Sequence, residues 1–345
     1  MVEVMPTDPL LSVRDLTTQL KIGHDIWTVV DQLSFDLFPG KTLALVGESG
    51  CGKSLTAHSL MRILPRPPAL PPKGQVLYQG RNLLEISEKE MRKIRGAKIA
   101  MVFQDPVSAL NPVYTIENQM IEVARLHLNL YGSDASERAL QALEEVGIVS
   151  PAARLKDYPH QLSGGMKQRV MIAMALMCEP DILIADEPTT ALDTTIQAQV
   201  LKLMRNLQDQ KGMAILLITH DMGVVAEMAD EVIVMYTAQR VEKGYVHDIF
   251  DHRAHPYTMG LFNARPALQK RGIKLAAIPG NVPVFKHIPK GCKFHTRCPF
   301  VMDKCRQGTL PDFIIDQNAS HIAKCWLYDD SKESHERIQS PDFIL

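Results

Sequence analysis

The stretch TLALVGESGCGKS, residues 42–54, constrains the fold of this chain more than any other. Thr42 to Val46 read as a buried strand, Gly47-x-x-x-x-Gly52-Lys53-Ser54 as a phosphate-binding loop, and LTAHSLMRIL as the helix that follows. The glycines let backbone N–H groups fold around phosphate oxygens, and the helix start adds partial positive charge. Lys53 can reach the terminal phosphates, and the Ser54 hydroxyl can ligate Mg²⁺. Ser49, Gly50, Cys51 and Leu55 complete the loop and its exit. Such a unit requires an α/β architecture with the loop at the carboxyl end of a strand.

Two later segments have the same form. PDILIADEP is a buried strand that carries Asp186 and Glu187 to its carboxyl end, where open α/β sheets bind ligands. Asp186 suits Mg²⁺ coordination, and Glu187 is the natural general base for an attacking water. GMAILLITHD delivers His220, a candidate γ-phosphate contact, and Asp221. In HQLSGGMKQRVMIAMAL, Ser163, Gly164 and Gly165 open a long helix and form a second anion-binding helix start. One triphosphate does not need two such starts in one chain. The second makes sense facing the nucleotide of another subunit.

A length of 345 residues accommodates about two domains. No apolar run approaches the roughly 18 residues that span a bilayer, and MVEVMPTDPLL has no signal-peptide pattern. A role at a membrane would therefore be peripheral, through a partner. Residues 1–250 carry 24 Lys and Arg against 30 Asp and Glu, whereas residues 251–330 carry 12 against 6. The two parts are expected to have different neighbours. No basic stripe alternates with aromatics, which argues against nucleic acid.

Taken in order, the motifs resemble those of ATP-binding subunits of ABC transporters, from about Leu11 to Gly244. GESGCGKS matches Walker A, LIADE Walker B, and LSGGM (162–166) the signature, with Met166 where Gln is commonest. Gln104 in MVFQDP matches the Q-loop, ALD (191–193), which contributes Asp193, the D-loop, and His220 the switch histidine. Trp27 stands where that family places an aromatic that stacks on adenine, although a Trp beside an apolar strand also serves as core. The resemblance implies a P-loop NTPase (RecA-like) core with an N-terminal β layer and a helical insert. It also implies ATP and Mg²⁺ as ligands, with Gln104 sensing Mg²⁺ beside Ser54 and Asp186.

VFQDPVSALNPVYTIENQM, HPYT (255–258), IPGNVP (278–283) and GCKFHTRCP further resemble the ATPases of bacterial dipeptide and oligopeptide permeases. That implies ATP-driven peptide import at the cytoplasmic face of the cell membrane. The implied partners are a second, related ATPase chain, two transmembrane permease subunits and, indirectly, a solute-binding protein. Import of nickel or another small solute, and a soluble regulatory ATPase, are the alternatives. The expected domains are a nucleotide-binding domain over 8–250, with its helical part over about 106–178, a small cysteine-rich extension over 251–330, and a mobile tail over 331–345. Locally, QVLYQGRNLL reads as a hairpin, and Asp134 with Glu137 as a capping box whose helix ends at Gly147. HPYTMGLFNARP reads as a short helix.

Cys292, Cys298, Cys305 and Cys325 are spaced C-x₅-C-x₆-C-x₁₉-C. Cys51 and Cys178 read separately, as a loop residue and a core residue of the signature helix. Spacing alone leaves four unrelated buried thiols, a zinc site or an iron–sulfur site. The permease resemblance implies a [4Fe–4S] cluster at these cysteines, with zinc as the alternative, in a structural role outside the ATP motifs. The local Lys and Arg excess would offset the cluster's charge.

Overall fold

A computed structural model describes residues 8–190, 192–263, 278–317 and 319–338. The alternating N-terminal segment forms β1 (Leu11–Ile22) and β2 (Asp25–Leu37), with Val13, Leu16, Val29, Val30 and Leu33 fully buried. The apolar run before the glycine loop is β3 (Thr42–Val46), buried at every position, and α1 (Lys53–Leu60) follows the loop. The expected hairpin is β4 (Lys73–Tyr78) paired antiparallel with β5 (Arg81–Asn82). A Ser87–Glu90 capping box starts α2 (Glu88–Ile94), which leads to β6 (Ile99–Val102).

From β6 to the next strand the regular elements are helical. They are α3 (Pro106–Ala109), α4 (Ile116–Val123), a π turn over Ala124–Leu128, α5 (Gly132–Glu145), α6 (Pro151–Leu155) and α7 (Gly164–Leu176). The Asp134–Glu137 capping box does not form. Helix α5 begins three residues earlier, after Tyr131, and places Asp134 inside its first turn. Its end is as expected, with Gly147 left-handed just past the cap. Cys178 lies beyond α7 rather than within it, half-buried, and burial pushes its thiol up to about 11.

The remaining elements are β7 (Ile182–Asp186), α8 (Thr194–Lys211), β8 (Ala214–Thr219), α9 (Met222–Met228), β9 (Glu231–Tyr236), β10 (Gln239–Tyr245), α10 (Val246–Asp251) and α11 (Pro256–Asn263). Two short strands, β11 (Phe313–Ile314) and β12 (Ile322–Ala323), precede α12 (Lys332–Ile338). The expected mobile tail thus opens with a helix in which Ser334 is fully buried. Residues 339–345 and Ala191 of the ALD motif lie outside the described residues.

The chain divides into two compact units. The first comprises Met1–Ser12, Phe35–Thr42 and Gln75–Ile218. Within it β6, β7 and β8 run parallel, with Ile99 opposite Ile182 and Ile182 opposite Ala214. Continuous apolar strands such as these are what a parallel sheet covered on both faces requires. The second unit comprises Val13–Ser34, Leu43–Gly74 and Thr219–Leu345. Here β3 pairs parallel with β9, and the antiparallel series β9–β10–β12–β11 follows. Its core gathers Val46, Tyr236, Tyr257, Phe294 and Cys292 with Cys305 and Cys325. Among the described residues no helix is long and apolar enough to cross a membrane.

Candidate functional site

In the second unit the glycine loop joins β3 to α1, and two glycines are required by close approach. A Cβ on Gly47 would stand 2.3 Å from the Met235 carbonyl oxygen, and one on Gly52 would stand 2.4 Å from that of Val29. Both also have positive φ, at 150° and 107°. Lys53 is buried at the centre of the loop, its Nζ donating to the carbonyls of Gly47 (2.7 Å) and Glu48 (3.1 Å). Cys51 is fully buried beside it, and burial raises its thiol pKa. Ser54 and Leu55 are half-buried on α1, while Ser49 and Gly50 are exposed at the loop tip. A strained hairpin tip braces the loop. Thr237 and Ala238 join β9 to β10 with φ of 43° and 67°, and the Ala238 N–H donates to the Cys51 carbonyl at 2.8 Å.

Three side chains from the C-terminal segment hold this loop and its neighbours. Arg297 is buried and grips Glu48 with both terminal nitrogens, at 2.7 and 3.1 Å. The Tyr257 hydroxyl accepts the Glu48 N–H at 2.7 Å. Lys293 donates to Asp31 at 3.0 Å and to the Thr237 carbonyl at 3.3 Å. The four cysteines lie outside the ATP motifs, but a residue beside them reaches one, since Arg297, which precedes Cys298, pairs with Glu48 of the glycine loop. Glu48 occupies a variable position of the loop pattern, and no local signal announces its partner.

The first unit holds a second group. β7 ends at Asp186, which is buried, and Glu187 follows with φ of 47°. This left-handed conformation is rare for a non-glycine residue and gathers at functional sites. Glu187 Oε2 accepts from Gln104 Nε2 and from Thr190 Oγ1, each at 2.9 Å. The sequence reading singled out Gln104 and Glu187 separately but neither their bond nor Thr190. Ser163 caps α7 by accepting the Met166 N–H at 3.3 Å, with Gly164 and Gly165 in the first turn. Gln168 on the same helix donates to the Pro188 carbonyl, tying α7 to the turn after Glu187. Asp193 is exposed and caps α8 through the Ile196 N–H.

Also in the second unit, His220 is exposed after β8, and Asp221 caps α9 through the Gly223 N–H. Trp27 lies half-buried on β2. The HPYT segment begins α11, and buried Glu242 accepts the N–H groups of Ala254 and His255 at its start. His321 Nε2 stands 2.8 Å from the same carboxylate.

Cys292, Cys305 and Cys325 are buried, Cys298 is half-buried, and all four are free thiols. Burial pushes Cys292 up to about 11 and Cys325 well above the usual thiol range; all three other cysteines lie within electrostatic reach of Cys325. Three of the local basic residues are engaged, because Lys293, Arg297 and Lys304 pair with Asp31, Glu48 and Asp329. Among the described residues no three His, Cys, Asp or Glu side chains form a group able to hold a metal ion.

Residues 30–190 match the family model described as ABC transporter, and residues 241–305 match that described as oligopeptide/dipeptide transporter, C-terminal region. The chain is 47% identical over 320 residues to a probable peptide ABC transporter ATP-binding protein of Sinorhizobium fredii, covering 92% of this chain and 95% of that one. It is 47% identical over 326 residues to the dipeptide transport ATP-binding protein DppD of Bacillus subtilis, covering 94% and 97%. Among solved structures, a dimeric ATP-binding cassette in a post-hydrolysis state bound to ADP and Pi is 26% identical. It aligns with a TM-score of 0.62 over 68% of this chain and 98% of that one. CbiO1 of Clostridium perfringens, part of the CbiONQ complex, is 29% identical, with a TM-score of 0.59 over 71% of this chain and 92% of that one.

Proposed function

The chain belongs to the family of ABC transporter ATP-binding proteins, and we propose that it is the ATP-hydrolysing subunit that powers import of di- or oligopeptides through a membrane permease. The observation that carries the peptide reading is the match of residues 241–305 to the transporter C-terminal region, joined to near full-length identity with peptide-transport relatives. The ATPase reading rests on the loop around Lys53 and on the carboxylates that end β7.

The loop amides and Lys53 bind the triphosphate, and Ser54 and Asp186 hold its Mg²⁺. Glu187, oriented by Gln104 and Thr190, takes the proton of the attacking water. His220 contacts the γ-phosphate, and Trp27 stacks on the adenine. Two cassettes close face to face, so that Ser163, Gly164 and Gly165 of one, together with Asp193, complete the site of the other. The dimeric state of the ADP- and Pi-bound relative supports this. ATP favours the closed pair and hydrolysis releases it. The second cassette is a related chain. Two permease subunits receive the motion at the cytoplasmic face of the membrane, and a solute-binding protein delivers the peptide.

The four C-terminal cysteines hold a [4Fe–4S] cluster in this reading. Four free thiols, three of them buried, gather here, the other three within electrostatic reach of Cys325. Zinc held by the same four thiolates is the alternative. When bound, the cluster supplies Fe–S bonds that cross-link residues 292–325.

The test is uptake of a labelled dipeptide into proteoliposomes holding the assembled transporter, its binding protein and internal ATP. Uptake that a Lys53→Ala variant loses supports the reading. Uptake of nickel but not peptide selects the alternative importer, and no association with permease subunits selects the soluble ATPase.

A further inference from the structure

The cysteine segment grips the nucleotide loop through residues that neither the loop motif nor the cysteine spacing includes. We propose that Arg297 is a positioning residue for ATP binding: by clamping Glu48 it holds the glycine loop in its phosphate-binding form. The C-terminal extension then acts as part of the nucleotide site rather than as an appendage.

The geometry is that of a built clamp. Both terminal nitrogens of Arg297 meet the two oxygens of Glu48, at 2.7 and 3.1 Å, in the fork arrangement that fixes direction as well as distance. Arg297 is itself immobilised. Its Nε donates to the Pro279 carbonyl at 2.9 Å, and a terminal nitrogen reaches the Ile278 carbonyl at 3.3 Å. Its guanidinium lies 5.9 Å from the Tyr236 ring centre and 6.0 Å from that of Phe294. The IPGNVP segment thus anchors the arginine that anchors the loop. Tyr257 adds a second hold, because its hydroxyl accepts the Glu48 N–H. Tyr236, Tyr257 and Phe294 pack together, with ring centres 4.7 to 5.4 Å apart.

Glu48 is well placed to transmit this hold. Its carbonyl accepts from Lys53 Nζ. A side chain, an N–H and a carbonyl of one residue are therefore tied respectively to Arg297, Tyr257 and the phosphate-binding lysine. Release of the carboxylate frees the segment that shapes the loop and seats Lys53. A glycine loop that must reorder on binding loses affinity, whereas a pre-set one does not.

The proposal rests on residues 47–54 being the triphosphate loop, and the experiment separates the two ideas. MgATP binding is titrated with the full-length chain for wild type, Arg297→Met, Arg297→Lys and Lys304→Met, and ATP turnover is measured in the assembled transporter. Lys304 is the control, because it pairs with Asp329 in the same segment but makes no contact with the loop among the described bonds. Arg297→Met is expected to raise both the Kd and the KM for ATP about tenfold, with kcat within about threefold, the signature of lost ground-state binding. Arg297→Lys recovers part of the affinity, and Lys304→Met leaves it within about twofold even where thermal stability falls. Arg297→Met binding like wild type overturns the proposal, as does an equal weakening by Lys304→Met, which would mark general loosening. If Arg297→Met does not fold, Glu48→Gln breaks the same clamp from the other side, and unchanged affinity there is equally fatal. A wild-type chain that fails to bind MgATP removes the loop assignment itself and the proposal with it.

Discussion

Gln104 Nε2 donates to Glu187 Oε2 at 2.9 Å, and this bond joins the start of the helical region to the carboxylate that follows β7. Thr190 Oγ1 donates to the same oxygen. Glu187 thus keeps a fixed direction despite a backbone φ of 47°. Gln104→Ala should lower kcat about tenfold with little change in KM, less than the cost of losing a base outright. Wild-type kcat in Gln104→Ala would show that Thr190 and the backbone suffice to orient the carboxylate.

The signature loop should act on another chain's nucleotide. Ser163→Arg places a bulky cation at the start of α7 while leaving the glycine loop untouched. Binding of MgATP to the isolated variant should stay within about twofold of wild type, while turnover of the assembled transporter falls at least about a hundredfold. Loss of binding as severe as loss of turnover would place the loop in the chain's own site.

Stability should fall with pH through a buried histidine. Burial pushes His255 down to about 4, partly opposed by Glu242, and His321 faces the same carboxylate. His255 stays neutral in the folded chain, whereas the unfolded chain takes up a proton below about pH 6.5. Stability present above that value is lost as pH falls toward 4, by about 3 kcal/mol for this group. His255→Asn keeps an acceptor for the Tyr257 N–H, which His255 Nδ1 now accepts, and should flatten denaturation midpoints over that window. An unchanged pH slope would assign the acid loss to other groups.

Anaerobically purified protein should be brown and hold about four irons per chain. Cys298→Ser should lose the iron and, because Cys298 adjoins Arg297, also weaken MgATP binding. Colourless protein holding one zinc per chain would replace the cluster while leaving the cross-link.

The parallel strands, the glycine loop and the carboxyl-end residues were legible in the sequence because each rests on contiguous chemistry. Thr42–Val46 and Ile182–Asp186 bury every residue, and Lys53 sits six residues past Gly47. What was hidden depends on distant pairing. Glu48 and Arg297 lie 249 positions apart, and Lys293 and Asp31 lie 262 apart. No spacing rule connects them. The capping box at Asp134 failed for a local reason: α5 is capped at Tyr131, three residues before the cap that pattern requires. Ser87, whose box does form, is followed by Glu90 in extended-to-helix geometry, as such a box needs.

The most direct measurement is ATP turnover by the assembled transporter with peptide-loaded binding protein, comparing wild type with Glu187→Gln. That substitution keeps the size of the side chain but removes its negative charge and with it its ability to take a proton. The predicted result is peptide-stimulated hydrolysis in the wild type and, in the variant, a loss of about 10²–10⁴-fold with MgATP still bound. Turnover within twofold of wild type, or hydrolysis indifferent to peptide, would contradict the account.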